Sequence, residues 1–388
     1  MRRPLLLVLL LMVLLLLSLT AAAQFQESIT VARILVDVRV TDSYGKPITG
    51  LTPADFNVKL GGKEAKVESV TWIDDVLRFD SEGLVGDAEV SESAGRPAGE
   101  ETFTATPADA MPLDNSKPSQ RTEPSLDDST VQQTTSRRLE DSPGRLFVVF
   151  VQTDFGRNHE RVTGQMHFEQ FAEEMIDALQ PEDRVAVFSF DSHLKFRLDF
   201  TDNKSAVQAA IRDSMLVNEP PWPQIVPNPA LAKRLDPKEM REAPDSETAL
   251  ILIANALRPI DGPKTMLLIG WGLGERVGNM VTMRPKWPIA RRALDASRVS
   301  IFALDTTFAD YHDLEIGLQH AAKSTGGFYA KTHEFPRIAI DRLQRTLTGH
   351  YELELRRPEE LKPGTHELEI QVKRRGVTVL APSSWRDR

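Results

Sequence analysis

Cysteine is absent from all 388 residues. Its absence excludes disulfide staples, Cys-ligated zinc, thiol nucleophiles and lipidation at a Cys. No G-x-S-x-G marks a nucleophile elbow, and no H-E-x-x-H offers a zinc-binding pair. The eight histidines are scattered, and none pairs at i, i+4 around a Glu. His159 and His193, near strand ends, read as polar surface residues. Positive charge is also in short supply. The formal net charge is −9, which argues against a nucleic-acid partner. S-x-x-K occurs at Ser43 to Lys46 and at Ser192 to Lys195. In an acyl-transfer enzyme that motif opens a helix and has partner motifs. Here Ser43 sits in turn chemistry and Ser192 follows a strand end, so both read as chance matches.

One apolar run approaches bilayer length, at the start of the chain. Arg2 and Arg3 precede Leu5 to Leu17, and Ala21-Ala22-Ala23 offers an A-x-A cleavage site before Gln24. Residues 1–23 therefore read as a signal peptide. The alternative is an uncleaved anchor, the only membrane contact expected. Either way the remaining chain is expected outside the cytoplasm: periplasmic, in the cell envelope or secreted.

A second stretch is poor in apolar residues. Residues 80–140 read as an acidic linker. From Asp80 to Ser136 there are twelve acids, three bases and one aromatic, Phe103. Such a composition cannot bury enough apolar area to offset its ordering entropy, and disorder is the expectation.

What remains is patterned. Residues 28–76 form a β module. Ile34, Val36, Val38 and Val40 alternate with Leu35, Asp37, Arg39 and Thr41. Phe56, Val58 and Leu60 alternate again, and Gly61-Gly62 turns the chain toward a third strand from Val67 to Trp72. Residues 349–382 hold further alternating strands around Tyr351, Leu353, Leu355, Leu368, Ile370 and Val372. Three strands with one apolar face are marginal alone, so the two ends of the chain are expected to pack together.

Residues 145–347 alternate buried strands with helices. Leu146 to Val151 is an unbroken apolar run that ends at Asp154. Val185 to Phe190, Met266 to Ile269 and Val299 to Leu304 read as further strands. Helices are expected over Phe168 to Leu179, Lys204 to Leu216, Asp245 to Leu257, Pro288 to Arg298, Asp313 to Ser324 and Pro336 to Leu347. This order predicts a doubly wound, mostly parallel sheet with helices on both faces. The ligands of such sheets bind at the carboxyl ends of the strands. Glu219 to Pro244, with seven prolines, reads as an extended insertion.

The stretch Arg145 to Asn158 resembles the start of a von Willebrand factor type A domain. The resemblance extends to the exported bacterial VWFA-related family. It rests on Val38-Arg-Val-Thr-Asp42-Ser-Tyr-Gly45-Lys-Pro47-Ile-Thr-Gly50-Leu51, on Leu179-Gln-Pro181-Glu-Asp183-Arg184-Val, and on Ala322-Lys-Ser-Thr-Gly326-Gly327. That family implies a divalent-metal site: a D-x-S-x-S motif, a Thr from a second loop and an Asp from a third. Here Asp154 keeps its place, but Gly156 and Asn158 stand where the two hydroxyls belong. Thr248 matches the second loop, and Trp271 replaces the third-loop Asp. The site reads as degenerate, with Asp154, Asn158 and Thr248 as vestiges. Asn158 could offer a carbonyl oxygen, and Asp191 or Asp305 could stand nearby. A hard cation wants several oxygen ligands, so no cofactor is expected, Mg²⁺ or Ca²⁺ being the alternative. Without a metal, Asp154 would cap the following helix or loop.

Gly270-x-Gly-x-Gly274 has the wrong spacing for a dinucleotide loop. The reading that follows is a non-enzymatic interaction module. It would bind a protein or cell-surface polymer through the loops around Asp154, Gly156, Asn158, Asp191, Thr248 and an exposed Trp271 anchor. A structural envelope component and a hydrolase with an unmarked site are the alternatives.

Overall fold

A computed structural model describes residues 33–75, 136–137 and 144–386, apart from 157, 217 and 225–228. The leader at 1–23 and nearly all of the acidic segment lie outside the described residues. No described helix is long and apolar enough to cross a membrane.

The larger layer is a six-stranded sheet. Its strands are β6 (Leu146–Gln152), β7 (Arg184–Phe190), β8 (Leu194–Thr201), β9 (Lys264–Gly270), β12 (Val299–Asp305) and β13 (Tyr329–Lys331), in the order β13-β12-β9-β6-β7-β8. All pairs are parallel except β7 with β8. Every residue of β6 is buried, because both faces of the sheet are covered. Leu146, Val148 and Phe150 point to one core, and Phe147, Val149 and Val151 to the other. This is the central-strand pattern that a continuous Val- and Phe-rich run encodes.

The helices α1 (His159–Asp177), α2 (Lys204–Asp213) and α7 (Pro336–Thr346) supply one core with Phe168, Ile176, Val207, Ile211, Ile340 and Leu343. On the other face lie α3 (Pro237–Arg241), α4 (Ser246–Leu257), α5 (Trp287–Ala296) and α6 (Glu315–Ser324). Sequence cues set their starts. Asn158, Asn203 and Asp245 cap α1, α2 and α4 by accepting the amide of the third residue onward. Pro336 opens α7, where a missing N–H costs nothing. The winding reverses beside β6: the chain goes from β6 to β7 on one side, then returns to β9 on the other. The crevice between the carboxyl ends of β6 and β9 is thus the topological switch point.

The smaller layer pairs two antiparallel sheets. One contains β1 (Arg33–Thr41), β4 (Val67–Asp74), β5 (Ser136–Arg137), β14 (Gly349–Arg356) and β16 (Thr378–Leu380), ordered β16-β1-β14-β4-β5. Within it only β5 runs parallel to its neighbour. The other contains β2 (Phe56–Leu60), β3 (Lys63–Glu64), β15 (Thr365–Val372) and β17 (Ser384–Arg386), ordered β17-β15-β2-β3. C-terminal β14 lies between N-terminal β1 and β4, and β15 pairs with β2. Tyr351 of β14 fills the centre. Its ring meets Phe56 and Trp72 edge-on, and its hydroxyl donates to the Ile48 carbonyl at 2.9 Å.

Three expectations need correction. Gly61-Gly62 does turn a hairpin, but into the two-residue β3; the chain then crosses to the other sheet to make β4, which takes β14 as partner. Strand β8 is absent from the reading above, although Leu194, Phe196, Leu198 and Phe200 alternate. A hairpin of β10 (Glu275–Val277) and β11 (Met280–Thr282) also extends beyond the glycine-rich loop.

Candidate functional site

Three loops meet at the switch point, and one buried side chain joins them. Gln152 is the last residue of β6. Its Oε1 accepts from the amides of Trp271 and Gly272 at 3.0 and 3.2 Å. Its Nε2 donates to Ser246 Oγ at 3.0 Å and to the Gly272 carbonyl at 2.8 Å. Gly270 is required for this approach, since a Cβ there would stand 2.2 Å from Gln152 Oε1. The Gly274 amide goes to Glu247 Oε1 at 3.1 Å. These amides therefore face protein acceptors, unlike those of a phosphate-cradling loop.

Trp271 is the second organising residue, and it is half-buried rather than an exposed anchor. Its indole N–H donates to Asp154 Oδ1 at 3.0 Å. The Arg161 guanidinium lies over its ring, 3.3 Å from the centroid. An indole face attracts a cation through its quadrupole, and the hydrogen bond to Asp154 fixes the plane on which Arg161 rests. Asp154 is thus no helix cap; that role falls to Asn158, whose side-chain oxygen accepts the Arg161 amide at 3.0 Å. The carbonyl considered as a cation ligand is therefore already engaged. Gly156 turns the chain between them at φ 59°.

Burial pushes the Asp154 carboxyl up to about 6, against the lowering effects of the Trp271 hydrogen bond and the nearby Arg161 charge. Burial likewise lowers Arg161, while Asp154 and Glu160 act in the opposite sense.

The other candidates have partners of their own. The Thr248 hydroxyl donates to Asp245 Oδ1 and accepts from Lys286 Nζ at 2.7 Å. A lysine ammonium thus stands on the hydroxyl that the resemblance assigns to a metal. Burial alone would raise Asp191, but hydrogen bonds from Lys195 and Ser192 bring it below its ordinary range. Asp305 accepts from His312 Nε2 and the Tyr329 hydroxyl, each at 2.7 Å. Ser192 does not open a helix; it precedes β8, and Lys195 is spent on Asp191. His193 meets Glu219 at 3.0 Å.

Sequence reasoning missed Gln152, Arg161 and Lys286. Gln152 sits at the end of a recognised strand and is polar after six apolar residues, which is a readable signal. Arg161 and Lys286 carry none, because each acts on a residue far away in the chain.

No protein-family model matches the chain, and no curated protein matches it. Among solved structures it is similar to BatB from Bacteroides thetaiotaomicron, at 12% identity over 52% of this chain and 98% of that one, with a TM-score of 0.36. It is also similar to a von Willebrand factor type A protein from Catenulispora acidiphila, at 8% identity over 62% and 65%, with a TM-score of 0.36. The PilB minor pilin of Streptococcus sanguinis matches at 11% identity over 53% and 63%, with a TM-score of 0.33. Such likenesses concern fold alone and carry no argument about function.

Proposed function

We propose that this protein is an exported, non-enzymatic interaction module. It engages a protein or cell-surface polymer through the carboxyl-end face of its α/β sheet, without a metal ion. One observation carries the reading. Each of the three vestigial ligands is engaged by a donor of the chain itself: Asp154 by the Trp271 indole, Asn158 by the Arg161 amide, and Thr248 by Lys286. The face is assembled by internal hydrogen bonds and fixed cations, so a divalent ion would have to displace an ammonium and an indole. The two acids there that burial raises, Asp154 and Glu247, accept from the Trp271 indole and the Gly274 amide, donors that do not exchange a proton in ordinary catalysis. Export is inferred from the leader-like residues 1–23.

Calorimetry with millimolar Mg²⁺, Mn²⁺ and Ca²⁺ tests the metal-free part. No saturable heat is expected; micromolar affinity abolished by Asp154→Ala would overturn it. A photo-crosslinking residue at Gly156 tests the face, using envelope extracts of the native host. Adducts are expected to persist in chelator and to be missing from a probe placed at the opposite end of the sheet.

A further inference from the structure

Among the described residues, Arg161 is a cation at the switch point whose guanidinium has an aromatic platform but no hydrogen-bonded acceptor. A guanidinium offers five N–H donors in one plane. None of those of Arg161 makes a hydrogen bond among the described residues, and no described carboxylate lies within 4.0 Å of them. Asp154, the acid whose charge it feels, is given to the Trp271 indole instead. The group is nevertheless held in place. Its face rests on Trp271 at 3.3 Å, Trp271 is fixed by Asp154 and Gln152, and the Arg161 amide is fixed by Asn158. Stacking covers the face of the guanidinium and leaves its edge, where the donors lie, free for a planar acceptor.

From this geometry we infer that Arg161, laid on the Trp271–Asp154 platform, is the receptor for a carboxylate of the partner macromolecule, a Glu or Asp side chain or a chain terminus. The inference deepens, and rests on, the proposed docking face. A half-buried guanidinium whose N–H edge has no described acceptor has lost hydration there, and an incoming anion corrects that. Two parallel N–H···O bonds to a carboxylate are the strongest arrangement open to it. A carboxylate suits the surroundings better than a phosphate. Asp154 and Glu160 both act on Arg161, so a dianion would meet more repulsion than a single charge. Two cavities among the described residues lie away from Arg161, one lined by Phe328, Leu368 and Pro382 and another by Phe196, Trp222 and Met240.

The test is a titration of the full chain, labelled with ¹⁵N-arginine, followed by the Arg side-chain Nε–H resonances. The probes are a capped peptide containing one Glu, the same peptide with Gln, and inorganic phosphate. The expected result is a saturable shift of the Arg161 signal with the Glu peptide, at least ten-fold weaker binding of the Gln peptide, and no tighter binding of phosphate. In calorimetry with the same peptides, Arg161→Gln should abolish binding with an unchanged melting temperature. Arg161→Lys keeps the charge but loses the planar fork, and should bind the Glu peptide at least ten-fold more weakly. No saturable shift, a preference for phosphate, or full affinity in Arg161→Lys would each overturn the inference. The crosslinking probe at Gly156 separates the two proposals. Adducts that survive unweakened in Arg161→Gln would leave the docking face standing and remove the carboxylate receptor from it. Loss of adducts in the wild type itself would remove the face.

Discussion

The two ends of the central sheet are both ringed with charge, yet they are finished differently. At the amino end the β module closes over the strands, and Arg298 is paired across the seam. Arg298, just before β12, reaches Asp37 of β1 with Nε at 2.9 Å and Glu352 of β14 with Nη2 at 2.9 Å. Burial pushes Asp37 up, but the hydrogen bond and charge of Arg298 outweigh it and leave the carboxyl below its ordinary range. Arg145, just before β6, is held by Asp183 and by the Leu347 carbonyl. At the carboxyl end no module covers the strands among the described residues. There Arg161 has a platform but no described carboxylate in ion-pair range, and Asp154 has a hydrogen bond but a carboxyl raised toward neutrality. Paired and buried charge describes an internal seam; positioned charge without a described counter-ion is what the proposed docking face rests on.

The seam provides the largest expected effect. Removing one partner of a buried ion pair leaves the other desolvated and unpaired. Arg298→Ala should therefore destabilise the protein by about 3 kcal/mol, because Asp37 and Glu352 both lose their cation. Urea denaturation followed by Trp fluorescence reads it. A loss below about 0.5 kcal/mol, the range of ordinary surface substitutions, would mean that the seam is no better paired than the opposite end.

Gln152→Leu comes next, because it cuts the stitching of the open face while keeping side-chain volume. The amides of Trp271 and Gly272 would be left buried without an acceptor, and each such group costs about 1–3 kcal/mol. A net loss of about 2 kcal/mol is expected, accompanied by faster amide exchange across Trp271 to Gly274. Unchanged exchange there would show that the loops hold their shape without Gln152, and that the platform under Arg161 is set by something else.

How much of this was legible depends on the range of the interaction. Leu146 to Val151, Val185 to Phe190 and Val299 to Leu304 announce buried parallel strands because a strand covered on both faces has no polar side to show. Asn203, Asp245 and Pro336 announce helix starts because capping is local. The pairing of the chain ends could be argued from instability alone, but not the insertion of β14 between β1 and β4; register requires knowing which partner each edge finds. The hairpin β10–β11 escaped because its strands are three residues long and Val277 and Met280 stay exposed. At the site, the departure from the family's ligand pattern could be read from Gly156, Asn158 and Trp271 as residue types. What replaced it could not, since the bonds from Trp271 to Asp154, Arg161 to Trp271 and Lys286 to Thr248 span distant segments. The exposed-anchor reading of Trp271 failed for the same reason: a sequence shows an indole, not the two groups that hold it.

The smallest effect is also the one whose sign is least intuitive. The carboxyl of Asp154 titrates near 6 in the folded chain against an ordinary value of 3.8, chiefly because it is buried. Below about pH 3 the group is protonated in both the folded and unfolded states and contributes no difference. As the pH rises through the window between those two values, the unfolded chain ionises first, and the folded state is progressively disfavoured. Above about pH 6 the cost is fully present and no longer changes. Asp154→Asn removes the titration and keeps an oxygen for the Trp271 indole. It should therefore stabilise the protein by about 1–2 kcal/mol at pH 7.5, allowing for the partial exposure of the site, with most of the gain lost by about pH 4 and the rest below about pH 3. Denaturation of the pair of proteins at pH 4, 5, 6 and 7.5 reads the whole curve. A stabilisation that does not vary with pH would assign the effect to packing instead. A destabilisation at pH 7.5 would mean that the Asp154 charge is already well compensated by Arg161, and that the carboxyl end is as fully paired as the seam.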